Sequence, residues 1–244
     1  MYPKTVKKNV DQFNKDVDSS GSYEYTGQSL SARFANERIS RSILGSFDFQ
    51  GKSVLDLGCG DGAYTVEFPD KGINRIVGID PADTAIAAAT KRAHSLGLSD
   101  IVHFETGDIY KLEKYLTPGL FDCILIRGVL HHLPDPARAL QGLSKFNGTI
   151  IVVEPNGNNP VLKLIERFSA YHVNHEECSF PRRRICKWLI AADFKVKSHE
   201  MIGLVPFFCP NSLAKFLRRL QPIIERLPVV RNLACGQVII VASK

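Results

Sequence analysis

The feature that most constrains this chain is a regular alternation of short apolar runs with segments of helical or turn pattern. Between residues 53 and 155 there are five runs of strand character: "SVLDL", "RIVGID", "IVHFETGD", "FDCILIRG" and "GTIIVVEP". Strands that alternate with helices pair in parallel through right-handed crossovers. The pattern therefore predicts an open, doubly wound α/β sheet.

The segments between these runs predict where the helices lie. We expect a helix from Ser31 to Phe47, and we expect "GAYTVEF" to begin another. The Ala-rich "ADTAIAAATKRAHSLG" predicts a strong helix that stops near Gly97. In "DPARALQGLSKF", Asp135 is the expected N-cap and Pro136 the first helical residue.

The alternation changes after Pro155. A helix is expected from Pro160 to Ala170 and another in "PRRRICKWLIAADF", followed by a sixth strand, "KVKSHEMIG", and a last strand, "CGQVIIVAS". We predict a seven-stranded, mostly parallel sheet with an antiparallel last strand, an N-terminal helix and a C-terminal helical insertion. Residues 1–30 are expected to be a flexible segment and 31–244 a single domain, with lid or substrate elements around 156–182 and 202–235.

Charge is distributed unevenly along the 244 residues. The net charge is +6, but residues 1–160 hold 17 basic and 19 acidic residues, whereas residues 161–244 hold 14 and 6. A basic C-terminal third indicates an anionic partner or a solvated helical face. No apolar run suits a membrane span or a signal peptide, so we expect a cytoplasmic protein without a transmembrane segment. Its six scattered cysteines are expected to be reduced thiols.

A glycine-rich turn follows the first predicted strand. Gly58, Gly60 and Gly62 alternate in "DLGCGDGA", so the backbone there can approach a ligand at the carboxyl end of the sheet. The same letters satisfy the dinucleotide pattern G-x-G-x-x-G/A, with Ala63 last. Asp80, at the end of the second strand, suits the ribose hydroxyls of either kind of cofactor. The glycines alone leave the ligand open.

Three further features narrow that choice. Asp56 precedes the glycines, where a carboxylate repels a pyrophosphate but pairs with an amino group. Asp108 follows the third strand in "ETGDI", and the fourth strand ends in "RGVLHHLPDP". Together these residues resemble the class I S-adenosylmethionine-dependent methyltransferases, in particular the group with a type-11/12 methyltransferase domain. The resemblance is strong from Val54 to Glu154 and looser beyond.

The resemblance implies S-adenosyl-L-methionine as the cofactor and assigns its contacts. Asp56 is expected to face the methionine amino group, and Asp80 to bond the ribose hydroxyls. Asp108 is expected to meet the adenine amino group. Arg127 replaces a small residue that is frequent at its position, and it could hold a carboxylate of cofactor or substrate. The expected cofactor-binding residues are Asp56, Gly58, Cys59, Gly60, Asp80, Pro81, Asp108, Ile109 and Arg127.

Candidates for proton transfer follow the fourth and fifth strands and lie in the predicted lid. A hydroxyl acceptor needs a base, and histidine is the usual one. We take His131, His175 and Glu154 as the candidate catalytic residues, with a structural or cofactor-lining histidine as the alternative for His131. Glu154 could instead cap the next helix. No metal is expected, although "HVNHEE" could be interpreted as a metal site.

The acceptor is the least determined part of the prediction. The expected reaction is O-methylation of a hydroxyl or carboxyl on a small molecule, either hydrophobic or anionic, such as a hydrophobic, glycan or lipid-linked metabolite. Alternatives are N-methylation of a small amine, RNA methylation, and an inert methyltransferase-like binding subunit. "RGVL" lacks the Asn/Asp-Pro-Pro-aromatic motif of base-methylating enzymes, which disfavours nucleic acid.

The predicted insertion bears on the partners. Its helix would have basic residues on one side and apolar residues on the other. The apolar residues are Leu213, Phe216, Leu217, Leu220, Ile223 and Ile224. This pattern fits a cover over an apolar acceptor beside an anionic membrane, with peripheral membrane contact, or packing on the sheet or on a second subunit. A monomer or homodimer is expected.

Overall fold

The structure, a computed structural model, describes residues 29–168 and 178–244. The predicted N-terminal segment up to residue 28 lies outside the described residues. So do all of residues 169–177, including His175 and the end of the helix expected from Pro160 to Ala170. Seven strands are described: β1 (Ser53–Leu57), β2 (Arg75–Asp80), β3 (Val102–Thr106), β4 (Cys123–Arg127), β5 (Thr149–Pro155), β6 (Lys195–Ile202) and β7 (Gln237–Ser243).

These strands form one sheet in the order β3-β2-β1-β4-β5-β7-β6. Strands β1 to β5 pair in parallel, and β7 is antiparallel to both of its neighbours, β5 and β6. The predicted fold class is confirmed, including the antiparallel last strand. Chain order reverses between β1 and β4, and open α/β sheets bind their ligands in the crevice at such a point.

The two faces of the sheet present different side chains at its carboxyl edge. Successive residues of a strand alternate between faces, and the core accordingly divides into two clusters. Leu55, Ile124 and Val152 pack on one face, whereas Val54, Leu125 and Val153 pack on the other. By the same alternation, Asp56 and Arg127 lie on the second face and Glu154 on the first.

Seven α-helices are described: α1 (Leu30–Ser46), α2 (Asp83–Ser95), α3 (Pro136–Gly142), α4 (Pro160–Phe168), α5 (Arg182–Ala191), α6 (Asn211–Ile224) and α7 (Pro228–Ala234). The carboxylate of Asp135 accepts a hydrogen bond from the Arg138 N–H at 3.0 Å, and Pro136 begins α3, as the sequence predicts. Gly97 follows α2 with φ +68°, the left-handed conformation that ends a helix. None of the helices in the described ranges is long and apolar enough to cross a membrane.

The prediction that "GAYTVEF" begins an α-helix is wrong. Two short 3₁₀ turns stand there instead, Thr65–Glu67 and Pro69–Lys71. Pro69 has no N–H to donate to a helical ladder, and Gly72 stops the segment with φ +67°. The connection to β2 therefore holds no regular α-helix, and Tyr64 lies beside the carboxyl edge of the sheet.

The insertion packs against α1 and against the loop after β6. Arg38 on α1 forms an ion pair with Glu225, which follows α6, at 2.8 Å, and Glu225 also accepts from the Gly203 N–H at 2.9 Å. The Gln221 side chain accepts from the Leu204 N–H at 3.0 Å. These contacts join α1, α6 and the loop at 203–208 into one wall over the carboxyl edge.

Candidate active site

A cavity of about 910 Å³ opens at the carboxyl edge of the sheet. The ends of β1, β2 and β4 form its floor, and α1, α4, α7 and the loop at 203–208 form its walls. Every residue predicted to contact the cofactor lines this cavity: Asp56, Gly58, Cys59, Gly60, Asp80, Pro81, Asp108, Ile109 and Arg127. The structure thus brings the predicted set together, while the contact assigned to each remains a prediction.

The glycine turn is held tightly against the end of β2. Gly58 has φ +75°, and a Cβ there would lie 2.3 Å from the Val129 side chain, so no other residue fits without rearrangement. The N–H groups of Gly58 and Cys59 both donate to the Ile79 carbonyl, at 2.7 and 3.2 Å. Burial raises the pKa of the Cys59 thiol well above its usual value, which keeps it protonated.

An ion pair between a buried carboxylate and a partly exposed guanidinium, which the sequence did not predict, fastens the same turn to α2. Asp61 is 1% exposed, and its carboxylate lies 3.1 Å from the Arg92 guanidinium. Arg92 also donates through Nε to the Asp61 carbonyl at 3.1 Å. A helical arginine thirty-one positions downstream gives no local signal in the sequence.

Asp80 combines a structural contact with a place in the cavity wall. One carboxylate oxygen accepts from the Gly60 N–H at 3.1 Å and the other from the Ala82 N–H at 2.9 Å. Burial outweighs these bonds and raises the pKa of Asp80 to about 6. Because each carboxylate oxygen has two lone pairs, Asp80 retains acceptor capacity for two hydroxyls of a ligand.

Asp56 is a second buried carboxylate in the cavity floor. It is 4% exposed, and Oδ2 accepts from the Thr65 hydroxyl at 2.7 Å. Burial raises the pKa of Asp56 to about 6, although the Thr65 hydrogen bond and the Arg127 charge act in the opposite direction. For Oδ1 the described residues supply no hydrogen-bond partner, so a cationic ligand group would stabilise it.

Arg127 is clamped between the sheet and α1. Its guanidinium donates to the Ser40 hydroxyl at 3.1 Å and to the Asn36 side-chain oxygen at 3.0 Å. It also stacks 3.6 Å from the centroid of the Tyr64 ring. Burial lowers the pKa of Arg127 and raises that of Tyr64 to about 12. Asn36, Ser40 and Tyr64 were not among the predicted site residues; only the fold brings them to Arg127.

The far end of the cavity floor is built after β3. Asp108 accepts from the Tyr110 N–H at 2.9 Å, which folds the chain into a tight turn. This turn presents Asp108 and Ile109 to the cavity beside Pro81. The residue before this turn is Gly107. A Cβ at this position would lie 2.4 Å from the Ile79 side chain, so a larger residue would not fit there without rearrangement.

Glu154 and His131 form a buried pair from the first face of the sheet. Glu154 accepts from three consecutive backbone N–H groups, those of Val129, Leu130 and His131, at 2.7–3.2 Å. Its second oxygen also lies 2.8 Å from His131 Nδ1. A carboxylate only accepts, which assigns the proton to Nδ1 and, in the neutral ring, leaves Nε2 as the acceptor nitrogen. His131 lines the cavity, whereas Glu154 is fully buried behind it.

Two asparagines after β5 hold the outer walls. Asn156 donates to the carbonyls of Asn232 and Cys235, both at 2.9 Å, at the end of α7. Asn159 donates to the Cys235 carbonyl at 3.3 Å, and its oxygen accepts from the Val161 and Leu162 N–H groups that begin α4. One turn therefore positions both helices.

Most of the outer wall is apolar, with few polar groups. Its apolar residues come from α1, α4, α7 and the loop after β6: Ala35, Ile39, Val161, Leu162, Ile165, Leu204, Val205, Phe207, Phe208 and Leu233. Within residues 29–168 and 178–244 there is no cluster of three or more His, Cys, Asp or Glu side chains that could hold a metal ion. His175 lies outside the described residues, so its relation to the cavity stays a prediction.

Comparison with known proteins gives a consistent result. A family model described as "Methyltransferase domain" matches residues 48–195. The ubiquinone biosynthesis O-methyltransferase of Pseudomonas aeruginosa (strain UCBPP-PA14) is 33% identical over 165 residues, which are 63% of this chain and 68% of that protein. For several other curated relatives the chain spans less than half of their length, from 22% to 49%.

Solved structures share the fold at lower identity. The geranyl diphosphate C-methyltransferase of Streptomyces coelicolor A3(2), in complex with Mg²⁺, geranyl diphosphate and S-adenosyl-L-homocysteine, superposes with a TM-score of 0.68. The two sequences are 14% identical, and the superposition covers 99% of this chain and 98% of the chain of that enzyme. The [4+2]-cyclase SpnF superposes with a TM-score of 0.67 at 20% identity, covering 99% and 97%. At these identities the likeness shows the fold alone.

Proposed function

This chain belongs to the class I S-adenosylmethionine-dependent methyltransferases, and from that membership we propose that it O-methylates a hydroxyl or carboxyl group of a small hydrophobic acceptor. The observation that carries the proposal is the position of the His131–Glu154 pair. His131 lines the same cavity as the carboxylates of the floor and the apolar outer wall, and Glu154 holds it from behind.

The residues of the floor fit the cofactor. Asp56 and Asp80 are buried carboxylates with raised pKa values, and a cationic amino group and hydroxyl donors would stabilise their charged forms. The glycine turn exposes backbone where a bulky ligand must come close. S-adenosylmethionine, when bound, supplies a methyl group on a sulfonium that is already a good leaving group. The protein's task is then to align the acceptor and to remove its proton.

His131 is the residue that we propose as the base for a hydroxyl acceptor. The Glu154 carboxylate holds His131 Nδ1–H and thereby makes Nε2 the proton acceptor of the ring, an arrangement that stabilises the imidazolium formed on proton uptake. Nε2 would take the proton of the hydroxyl, while bound S-adenosylmethionine would supply the methyl group and leave as the neutral thioether. Glu154 is then a positioning residue, because its oxygens are engaged by backbone N–H groups and by His131.

The outer wall supports an apolar acceptor. Side chains of α1, α4 and the loop at 203–208 supply hydrocarbon surface, and Asn36, Tyr64 and Asn159 are among the few polar groups there. Pockets of this composition bind a hydrophobic body and orient it with a few polar contacts. The name of the P. aeruginosa relative, an O-methyltransferase of ubiquinone biosynthesis, supports transfer to oxygen.

Glu154→Gln tests the proposed base without removing the histidine. A glutamine amide has one accepting oxygen, so when that oxygen stays with the Val129 and Leu130 N–H groups, its nitrogen faces His131 and the ring loses the contact that sets its tautomer. We expect kcat for a hydroxyl acceptor to fall by about 10²–10⁴-fold. Cofactor affinity, measured by calorimetry, should stay within about twofold. Glu105→Gln, at an exposed carboxylate, is the matched control.

The acceptor is identified by a panel of apolar alcohols, phenols, carboxylic acids and amines, with S-adenosylhomocysteine release as the readout. A hydroxyl substrate whose turnover survives both His131→Asn and Glu154→Gln would refute the role of the base. Turnover of amines alone would refute O-methylation.

A further inference from the structure

The mouth of the cavity is rimmed by apolar side chains that also face solvent. Val161 and Ile165 on α4, Phe208 before α6 and Leu233 on α7 line the cavity, yet they are 63%, 41%, 53% and 51% exposed. Residues that line a cavity and are exposed lie at its opening. We call these four the rim. Through the rim the apolar wall continues onto the outer surface.

Helix α4 extends the rim with an apolar stripe that the described residues leave exposed. Val161, Leu164, Ile165 and Phe168 follow the i, i+3, i+4, i+7 spacing of one helix face, and Leu164 and Phe168 are 60% and 72% exposed. A surface helix normally buries such a face against the core. No residue of α4 is buried by the described part of the chain. On α7, Val229 is exposed in the same way, at 73%.

Helix α6 repeats the pattern beside the mouth. It packs inward through Ala214 and Gln221, whereas Leu213, Phe216 and Ile223 remain exposed. The predicted apolar side of this helix is therefore only partly used for packing. Exposed apolar patches of this kind mark protein or membrane contacts.

The charges around the mouth indicate whether a protein or a membrane is the partner of this surface. Residues 156–168 and 204–235 contain seven Lys and Arg residues and only two acids, Glu166 and Glu225. Both acids are largely buried and paired, Glu166 with Lys163 and Glu225 with Arg38. The outer surface is left cationic, with Lys215, Arg219 and Arg226 alongside the α6 stripe.

We propose that this surface docks on an anionic lipid bilayer. Large apolar side chains flanked by Lys and Arg are what a helix needs to lie in the interfacial region of a membrane. The geometry orients the protein with the rim facing the bilayer, so an acceptor dissolved in the lipid enters the cavity without crossing water. This inference rests on the proposed function, since it concerns the route by which a hydrophobic acceptor arrives.

The test is co-sedimentation of the full chain with lipid vesicles, without cofactor or acceptor. We expect binding to vesicles that contain phosphatidylglycerol, at least about tenfold weaker binding to phosphatidylcholine alone, and weakening by salt. The triple variant Leu164→Ser, Phe168→Ser, Val229→Ser changes exposed residues that do not line the cavity. It should lower the affinity by at least about tenfold.

Two controls keep the outcome clear. Ile190→Ser with Leu96→Ser removes apolar groups of similar exposure, 61% and 57%, from α5 and from the C-cap of α2, and should leave vesicle binding unchanged. Thermal unfolding confirms that each variant is folded. Absence of vesicle binding by the unmodified chain, or equal binding by the triple variant, would overturn the proposal.

A second outcome would also overturn it: a concentration-dependent dimer that the triple variant abolishes, without vesicle binding, would make the surface a contact between two copies. Because vesicle binding requires no chemistry, its failure is separable from that of the proposed function. Binding without any methyl transfer would refute only the proposed reaction.

Discussion

Replacing Asp56 by asparagine is expected to make the cofactor-free protein more stable at neutral pH. Asp56 is buried in the cavity floor, and burial raises its pKa from 3.8 to about 6. Asparagine has nearly the same shape, and its oxygen can accept the hydrogen bond from the Thr65 hydroxyl that Oδ2 accepts at 2.7 Å. The substitution therefore removes a buried charge and keeps its local contact.

The size of the effect follows from the pKa difference. A shift of about two units corresponds to about 3 kcal/mol, since one unit is worth about 1.4 kcal/mol. A carboxyl with a raised pKa holds its proton more tightly in the folded chain. Its favourable contribution is complete below the unfolded pKa of 3.8 and is lost as the pH rises through about 6. The advantage of Asp56→Asn should thus be near zero at about pH 4 and approach about 3 kcal/mol above about pH 7.

The assay is urea unfolding of the cofactor-free protein across this pH range, with Asp100→Asn as an exposed control. The same variant should bind S-adenosylmethionine about 10–100-fold more weakly, because it loses the proposed charged contact with the amino group. An Asp56→Asn protein that is no more stable than the parent at neutral pH, or whose advantage does not change with pH, would refute the electrostatic argument. Unchanged cofactor affinity would refute the role of Asp56 in binding.

Gly58→Ala should destabilise the protein by about 2–4 kcal/mol in urea unfolding, because the new Cβ would meet Val129 at 2.3 Å and the backbone has φ +75°. Adding Val129→Ala should restore only the stability lost to the steric contact. Full recovery of stability would contradict a contribution from the positive φ at residue 58. Glu225→Ala should cost about 3–5 kcal/mol, since it strands the Arg38 charge at a half-buried site and leaves the Gly203 N–H without its acceptor. Glu113→Ala at the surface should cost less than about 0.5 kcal/mol, and equal losses in both variants would show that the ion pair contributes nothing specific.

The sheet and the floor of the cavity were predictable because their signals are local. Apolar runs define the strands, and Asp56 and Asp80 sit at strand ends, where parallel pairing must bring them to one edge. The contacts of Arg127 were not predictable, because Asn36 on α1 lies 91 positions away and nothing in the sequence of α1 marks it as a partner. The ion pair of Arg92 with Asp61 was not predictable for the same reason, because the two residues are 31 positions apart and no local pattern links them.

Glu154 shows a different limit of sequence reasoning. Its place at the end of a strand correctly put it at the carboxyl edge, but the alternation of faces turns its side chain behind His131 and out of the cavity lining. The expected helix at "GAYTVEF" failed for a local reason, Pro69, which was visible in the sequence and outweighs the helical periodicity.

The antiparallel pairing of β6 with β7 has a consequence for how the acceptor wall can change over evolutionary time. Ile202 pairs with Gln237, and the Gly236 N–H donates to the Gly203 carbonyl at 2.7 Å, so the insertion leaves and re-enters the sheet at one point. A loop whose ends are already joined tolerates changes in length, because doubling it costs only about 0.6 kcal/mol of closure entropy. Changes in the length of residues 204–235 should thus alter the cavity wall that this segment supplies while the register of β6 and β7 stays the same.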